Sequence, residues 1–325
     1  MRKYSVIIPI YNRPEELDEL LESLKLQTYT DFEIIIVEDG SELSSEQIAK
    51  KYVNVLNIQY FSKKNEGQGF ARNYGAEYAK GEFLVFFDSD VIVPPKYFET
   101  VELFLQKNNI EAFGGEDKAS VDFSVFQKAL SYAMTSILTT GGIRNINKNI
   151  GGSYQIRSYN CGFKLSLFKE IGGFKKTNMG EDMELNNRLE KIGIIKCLIP
   201  NAGVYHKRRG NFKSFYKQVF SFGQTRVQLK NSFGIPIKLV HLFPVSFVVF
   251  TVIAVSLIFT SKPFCLVPLS LIVFYFSIIL VHSSLSSKNL QIGILSVIAS
   301  FIQHTAYGLG FLKEVFFPMK KIDAN

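Results

Sequence analysis

The sequence predicts an α/β protein: a Rossmann-like, mainly parallel sheet flanked by helices, followed by a basic amphipathic segment and an α-helical membrane region. Three observations carry that prediction. Short apolar runs alternate with helical stretches over the first half, and these runs are apolar throughout rather than at every second residue. Such strands are covered on both faces, as in parallel sheets. Beyond Pro236 come long apolar runs, each near or above the length that spans a bilayer core about 30 Å thick. Just before them lies a basic stretch, with seven Lys or Arg and no Asp or Glu from His206 to Lys230.

The elements follow in order. "YSVIIPIY" is a β-branched strand. "PEELDELLESLKLQ" places Leu17, Leu20, Leu21 and Leu24 on one helical face. "FEIIIVEDGS" is a second strand, "SSEQIAKKY" a helix and "VLNIQYF" a third strand. "GFARNYGAEYAKG" reads as a helix stopping at Gly81, and "EFLVFFDSD" as the fourth strand. "PPKYFETVELFLQKN" is a further helix. The stretch 112–160, with Gly114–Gly115, Gly141–Gly142 and Gly151–Gly152, reads as loop-rich, a place for a lid over a site. "NMGEDMELNNRLEKIG" gives a helix starting near Glu181–Asp182 and closing at Gly193. "IIKCLIPNAGVYH" gives one or two short strands ending at His206.

Phe212, Phe215, Tyr216, Val219 and Phe220 then recur at helical spacing, edged by Lys213 and Lys217 and preceded by Lys207, Arg208 and Arg209. That pattern suits the surface of an anionic leaflet; packing on the preceding α/β core is the competing reading. Three apolar segments come last, at about 239–260, 264–283 and 290–312. The third carries Gln291, Gln303 and His304, and either crosses or lies re-entrant. The expected organisation is an α/β domain over 1–210, an interfacial segment over 211–235 and a membrane domain over 236–325. Basic residues before the first apolar run place that side in the cytoplasm, so the expected location is the inner membrane, multi-pass. Lys262, Lys288, Lys313, Lys320 and Lys321 leave the side of the tail open.

The formal charge of +8 raises nucleic acid as a partner, but the cations adjoin apolar segments rather than a stacking platform, so none is expected. Cys161, Cys197 and Cys265 are far apart and form neither a metal spacing nor a disulfide framework, which fits a reducing compartment. The start of the chain carries no signal-peptide pattern, which argues against a secreted soluble enzyme.

In parallel sheets ligands sit beyond the carboxyl ends of the strands, where Asp39, Asp88 and Asp90 fall. Residues two apart on a strand share a side. Close carboxylates repel, and a shared proton or a cation must relieve this. Mg²⁺ or Mn²⁺ suits oxygen ligands and also binds substrate phosphates. The pair therefore points to a metal between the protein and a nucleotide diphosphate; capping of the turn before Pro94–Pro95 is the competing reading. Asp182, near a helix start, reads either as an ionised acid or as part of a capping cluster.

The pieces stand in a specific order: Pro9-Ile10-Tyr11-Asn12, "VEDGS" (Val37–Ser41), "NEGQGFARNYG" (Asn65–Gly75), "FFDSD" (Phe86–Asp90) and "GED" (Gly180–Asp182). Over roughly residues 4–210 this set resembles the nucleotide-sugar-dependent glycosyltransferases of family 2, with the GT-A fold. The resemblance implies that Pro9, Tyr11 and Arg13 line the base pocket and that Asp39 recognises base or ribose. Glu38 stands where the family often has Asp. It implies that Arg72 helps hold the nucleotide, that Asp88 faces ribose or metal, and that Asp90 is the main metal ligand, with His206 a further one. Asp182 would be the catalytic base, Glu181 its neighbour orienting the acceptor, and Asn160 and Cys161 would lie on the acceptor side, Cys161 by packing. The implied cofactor is Mn²⁺ or Mg²⁺, and the implied donor a nucleotide-diphosphate sugar, UDP-sugar favoured and GDP-sugar possible. With no Trp, the chain lacks the Gln-x-x-Arg-Trp motif of processive synthases, which favours one sugar per visit. The expected reaction is inverting transfer to a lipid-linked or glycan hydroxyl at the cytoplasmic face. A polyprenyl phosphate as acceptor, and a non-catalytic membrane scaffold of the same fold, are the alternatives.

Overall fold

The computed structural model describes residues 3–118, 123–141, 154–175, 180–206, 210–259 and 266–319. Lys207–Arg209, Gly142, Gly151, Gly152, Lys262, Cys265, Lys320 and Lys321, singled out above, lie outside the described residues. The chain forms two compact units. Among the described residues the first holds 3–118, 154–175 and 180–206, and the second 123–141, 210–259 and 266–319.

The first unit is built on a seven-stranded sheet. Strands β1 (Tyr4–Ile10), β2 (Phe32–Asp39), β3 (Ile58–Lys63) and β4 (Phe83–Phe87) form a parallel block in the order β3-β2-β1-β4. Every residue of β1, β2 and β4 is buried, which is why their sequences do not alternate. The alternation appears instead in which core they feed. Val6 and Ile8 pack with Leu17, Leu20, Leu21 and Leu24 of helix α1 (Pro14–Lys25). Ile7 packs on the opposite face with Ala71 and Ala76. Helix α2 (Glu46–Tyr52) joins the first face, and α3 (Gln68–Glu77) the second. Gly75 lets α3 lie close on the sheet: a Cβ there would sit 2.7 Å from Ile7 Cγ2. Helix α3 ends before Gly81 because the following turn is tied down: Lys80 N donates to Glu33 Oε1 (2.7 Å) and Gly81 N to Ser5 Oγ (2.8 Å).

After β5 (Val91–Ile92) and α4 (Tyr97–Lys107), the chain adds β6 (Ala112–Gly114) and β7 (Asp117–Lys118). Strand β8 (Asn160–Lys164) lies antiparallel to β4, pairing Phe87 with Asn160, so its start adjoins the carboxyl end of β4. Helices α7 (Leu165–Glu170) and α8 (Glu181–Lys191) and strand β9 (Lys196–Leu198) follow. A second sheet of order β5-β10-β7 brings the end of β10 (Val204–His206) beside Val91.

The second unit is helical. The stretch read as loop-rich contains α5 (Val125–Thr135) and α6 (Ile137–Thr140), which belong to this unit. Helix α5 opens with a Ser124–Gln127 capping box. Its Leu130, Ala133 and Met134 pack with Phe215 and Val219 of α9 (Phe212–Phe233) and with Ala299 and Ala306 of α12 (Leu290–Phe316). The apolar stripe of α9, read above as facing a leaflet, is thus buried in part inside the protein. Helices α10 (Phe243–Ile258, preceded by a 3-10 turn from Leu239), α11 (Val267–Ser287) and α12 complete the unit. Among the described residues three segments are long and apolar enough to cross a membrane: Leu239–Ile258, Val267–Ser287 and Leu290–Phe316. By length and composition they suit a multi-pass membrane anchor.

Helix α12 meets its neighbours at backbone distance. A Cβ on Gly310 would lie 2.0 Å from Phe220 O, one on Gly223 would lie 2.1 Å from Tyr307 O, and one on Gly308 would lie 2.5 Å from Pro244 O. Small residues at such crossings permit close helix approach in an apolar medium. Of the polar residues that made this segment look weak, His304 is partnered inward, its Nε2 2.8 Å from Tyr275 Oη, while Gln291 is exposed; nearby, Gln224 Nε2 donates to Glu314 Oε2 at 3.3 Å.

Candidate active site

The carboxylates gather beyond the carboxyl ends of β1, β2 and β4. Asp39 closes β2. Its Oδ1 accepts from Glu66 N (3.0 Å) and Lys63 Nζ (3.1 Å), and its Oδ2 from Gly67 N (2.8 Å). Gly67 has φ +98°, a conformation glycine takes without strain, and this turns its amide toward the carboxylate. Asp39 therefore anchors the 65–67 loop. Its neighbour Glu38 faces the other way, accepting from Ser45 N (2.9 Å), Ser44 Oγ (3.1 Å) and the Tyr60 hydroxyl. Burial opposes the charge on Glu38, but the Tyr60 and Ser45 donors outweigh it and hold the carboxyl below its ordinary value.

Asp88 and Asp90 follow directly on β4 and take separate partners. Asp88 accepts from Arg72 Nη2, while Arg72 Nη1 donates to Glu181 Oε1 at 3.0 Å. Arg72 is fully buried, with its guanidinium 5.4 Å from the centre of the Phe174 ring. Burial alone would lower the guanidinium, but Asp88 and Glu181 overcome it and keep the charge firmly in place. Glu181 Oε1 also accepts from Gln68 Nε2 (2.6 Å) and Ser158 Oγ (3.2 Å). Burial pushes the Glu181 carboxyl up, and Arg72 opposes that shift.

Asp182 is the more open member of the acid pair. Its Oδ2 lies 3.5 Å from Arg157 Nη1, and its Oδ1 accepts from Met183 N at 2.8 Å. It stands in the first turn of α8.

Asp90 meets two groups with its two oxygens. Oδ2 lies 3.3 Å from Arg13 Nη1, which also donates to Glu16 Oε2 at 2.9 Å. Oδ1 lies 3.2 Å from His206 Nε2. The His206 ring packs 4.4 Å from the Tyr159 ring, and its Nδ1 is buried without a hydrogen-bond partner among the described residues. The 3.2 Å separation is close to the ~3 Å expected between neighbouring ligands of an octahedral ion with bonds of about 2.1 Å. Among the described residues no group of three or more His, Cys, Asp or Glu could hold a metal. Asp90 and His206 fit a divalent ion that takes its other ligands from substrate oxygens and water, as Mg²⁺ commonly does.

The remaining expected residues are accounted for as follows. Tyr11 is exposed, and Pro9 is buried in β1 opposite Val37. Asn160 is fully buried; its Oδ1 accepts from Tyr97 Oη (2.6 Å) and its Nδ2 donates to Ala202 O (3.1 Å). Cys161 is buried beside it, and burial pushes its thiol far up, which makes it packing rather than a nucleophile. Reading the sequence named Asn12 within its motif but gave it no role; its Oδ1 accepts from Glu42 N and Leu43 N (2.8 and 3.0 Å) and so ties the end of β1 to the loop after β2. That reading missed Glu16, Gln68, Arg157 and Ser158. Gln68 and Glu181 are 113 residues apart, so no local pattern marks their pairing.

The family model described as Glycosyl transferase family 2 matches residues 5–172. An uncharacterized glycosyltransferase of Rickettsia felis is 40% identical over 107 residues, which is 33% of this chain and 18% of that protein. The minor teichoic acid biosynthesis protein GgaB of Bacillus subtilis is 30% identical over 212 residues, 59% of this chain and 22% of that protein. The chain thus spans about a fifth of these relatives' own length. Among solved structures, the mannosyltransferase PcManGT from Pyrobaculum calidifontis, in complex with GDP-Man and Mn²⁺, superposes with a TM-score of 0.65 at 15% identity, covering 93% of this chain and 86% of that one. S. aureus TarS 1-349 in complex with UDP gives 0.51 at 20% identity, covering 99% and 95%. These two likenesses concern the fold.

Proposed function

Because the chain belongs to glycosyl transferase family 2, we propose that it is an inverting, metal-dependent glycosyltransferase that moves one sugar from a nucleotide-diphosphate sugar to a lipid-linked or glycan hydroxyl at the cytoplasmic face of a membrane. The observation that carries this reading is the division of labour among the acids. Asp90 and His206 lie together on one side; Asp88 and Glu181 are joined through Arg72; and Asp182, next to Glu181, is left more open. The donor assigned is a UDP-sugar, with a GDP-sugar as the second candidate.

Asp90 and His206 would hold Mn²⁺ or Mg²⁺, which when bound neutralises charge on the leaving diphosphate. The chain's own residues do the rest. Asp39 fixes the 65–67 loop beside the donor side. Arg72, Gln68 and Ser158 immobilise Glu181 and with it the start of α8. Asp182 takes the acceptor's hydroxyl proton as the acceptor oxygen bonds to the anomeric carbon. The bond from that carbon to the diphosphate oxygen breaks, and its electron pair leaves on the diphosphate. Attack opposite the leaving group inverts the anomeric centre.

One observation favours a second reading. Arg157 places a cation 3.5 Å from Asp182, which suits an acceptor that is itself a polyprenyl phosphate. The test of the leading reading is Asp182→Asn in the full-length protein. Donor binding should persist while turnover falls by about 100-fold or more, the usual size of a general-base contribution. A near-normal rate refutes the role of Asp182, and transfer to polyprenyl phosphate but to no hydroxyl acceptor selects the second reading.

A further inference from the structure

We propose that Arg13 makes divalent-cation binding at Asp90 and His206 depend on a bound nucleoside diphosphate. The inference rests on the reading of Asp90 and His206 as the protein ligands of that cation. Arg13 sits at the N-cap of α1, immediately past β1, and was expected among the base-pocket residues. Its guanidinium instead bridges Glu16 Oε2 at 2.9 Å and Asp90 Oδ2 at 3.3 Å. The other oxygen of the same Asp90 carboxylate faces His206 Nε2 at 3.2 Å. Ser89 Oγ donates to Glu16 Oε2 at 3.2 Å, so the acid that retains Arg13 is itself tied to the Asp88–Asp90 turn.

Charge decides the consequence. Arg13, Glu16 and Asp90 sum to one negative charge. A divalent ion on Asp90 Oδ1 and His206 would leave the cluster positive, with a fixed guanidinium across the same carboxylate. Asp90 and His206 are mostly shielded from solvent, at 14% and 16% side-chain exposure, and Arg13 is 35% exposed, so that repulsion is screened only in part. Asp88 offers little relief, because its charge is paired with Arg72. A nucleoside diphosphate brings two or three negative charges and supplies oxygen ligands beyond those the described residues offer. Cation and nucleotide therefore enter as partners, and Arg13 suppresses loading by the free ion.

The experiment is equilibrium dialysis of the full chain in detergent against Mn²⁺, with bound Mn²⁺ read by electron paramagnetic resonance, without nucleotide and with UDP or GDP. The wild type should hold Mn²⁺ about tenfold or more tighter when one of the nucleotides is present. Arg13→Gln should tighten nucleotide-free Mn²⁺ binding by about tenfold, whereas Arg13→Lys, which keeps the charge, should bind like the wild type. Tight Mn²⁺ binding by the nucleotide-free wild type, or equal nucleotide-free affinities for wild type and Arg13→Gln, overturns the inference. Asp90→Asn separates this failure from that of the ligand reading. If it loses Mn²⁺ binding in the presence of nucleotide, the ligand assignment stands whatever Arg13 does; if it binds as the wild type does, both readings fall.

Discussion

Replacing Arg72 with Met removes the cation that joins Asp88 to Glu181 while keeping most of the side chain's bulk. Breaking a buried ion pair from one side costs about 3–5 kcal/mol, because the surviving charge is left without a partner. Glu181, only 3% exposed, bears that penalty; Asp88, 27% exposed, regains water and adds little. The lower part of the range, about 3–4 kcal/mol, is therefore expected. At roughly 2–4 °C per kcal/mol for a domain of roughly 150–250 residues, the melting temperature should fall by roughly 6–16 °C. The loss should also depend on pH. The folded Glu181 carboxyl already lies above its ordinary value through burial, and without Arg72 it lies higher still. A carboxyl raised on folding favours the native state below its unfolded pKa of about 4.3, and that contribution is lost as pH rises through the folded value. The deficit of Arg72→Met should thus be larger at pH 8 than at pH 5, and Glu181→Gln should restore more than half of it. The chain has no Trp, so circular dichroism melts of the detergent-solubilised protein are the assay. A loss below about 1 kcal/mol, or one that does not change with pH, refutes the buried-bridge argument.

Two further outcomes are expected. Gly223→Val and Gly310→Val should each lower the melting temperature in detergent by the equivalent of about 1–3 kcal/mol, since the new side chain meets Tyr307 or Phe220 backbone. Gly210→Ala, with nothing within 4 Å of a new Cβ, should melt like the wild type, and equal losses in all three would discredit the packing account. In maleimide labelling of the native protein, Cys197, which is partly exposed, should react well before Cys161, whose thiol burial keeps protonated. Equal rates would show that the strand carrying Cys161 opens.

The parallel block was legible because β1, β2 and β4 are short apolar runs with no alternation, and Leu17, Leu20, Leu21 and Leu24 mark a helical face unmistakably. Local periodicity does not encode who pairs with whom. The antiparallel insertion of β8 beside β4 joins residues more than seventy positions apart, and nothing near Asn160 announces it. The helix at Val125–Thr135 was hidden by the glycines around it, although Ala129, Leu130, Ala133 and Met134 carried its spacing. In the candidate site the acids were legible from their order along the chain. Their partners were not, since the burial of Arg72 or the reach of Arg13 to Asp90 follows from tertiary placement.

The first unit is written along the chain in two pieces, with α5 and α6 between them belonging to the helical unit. A single cut near residue 210, the natural place to sever a soluble enzyme from its anchor, therefore does not free one clean body. It keeps Leu130, Ala133 and Met134 and discards the Phe215, Val219, Ala299 and Ala306 that shield them, leaving a sticky helix on the fragment. A water-soluble catalytic fragment needs two excisions, one after the second piece and one across the intervening insertion.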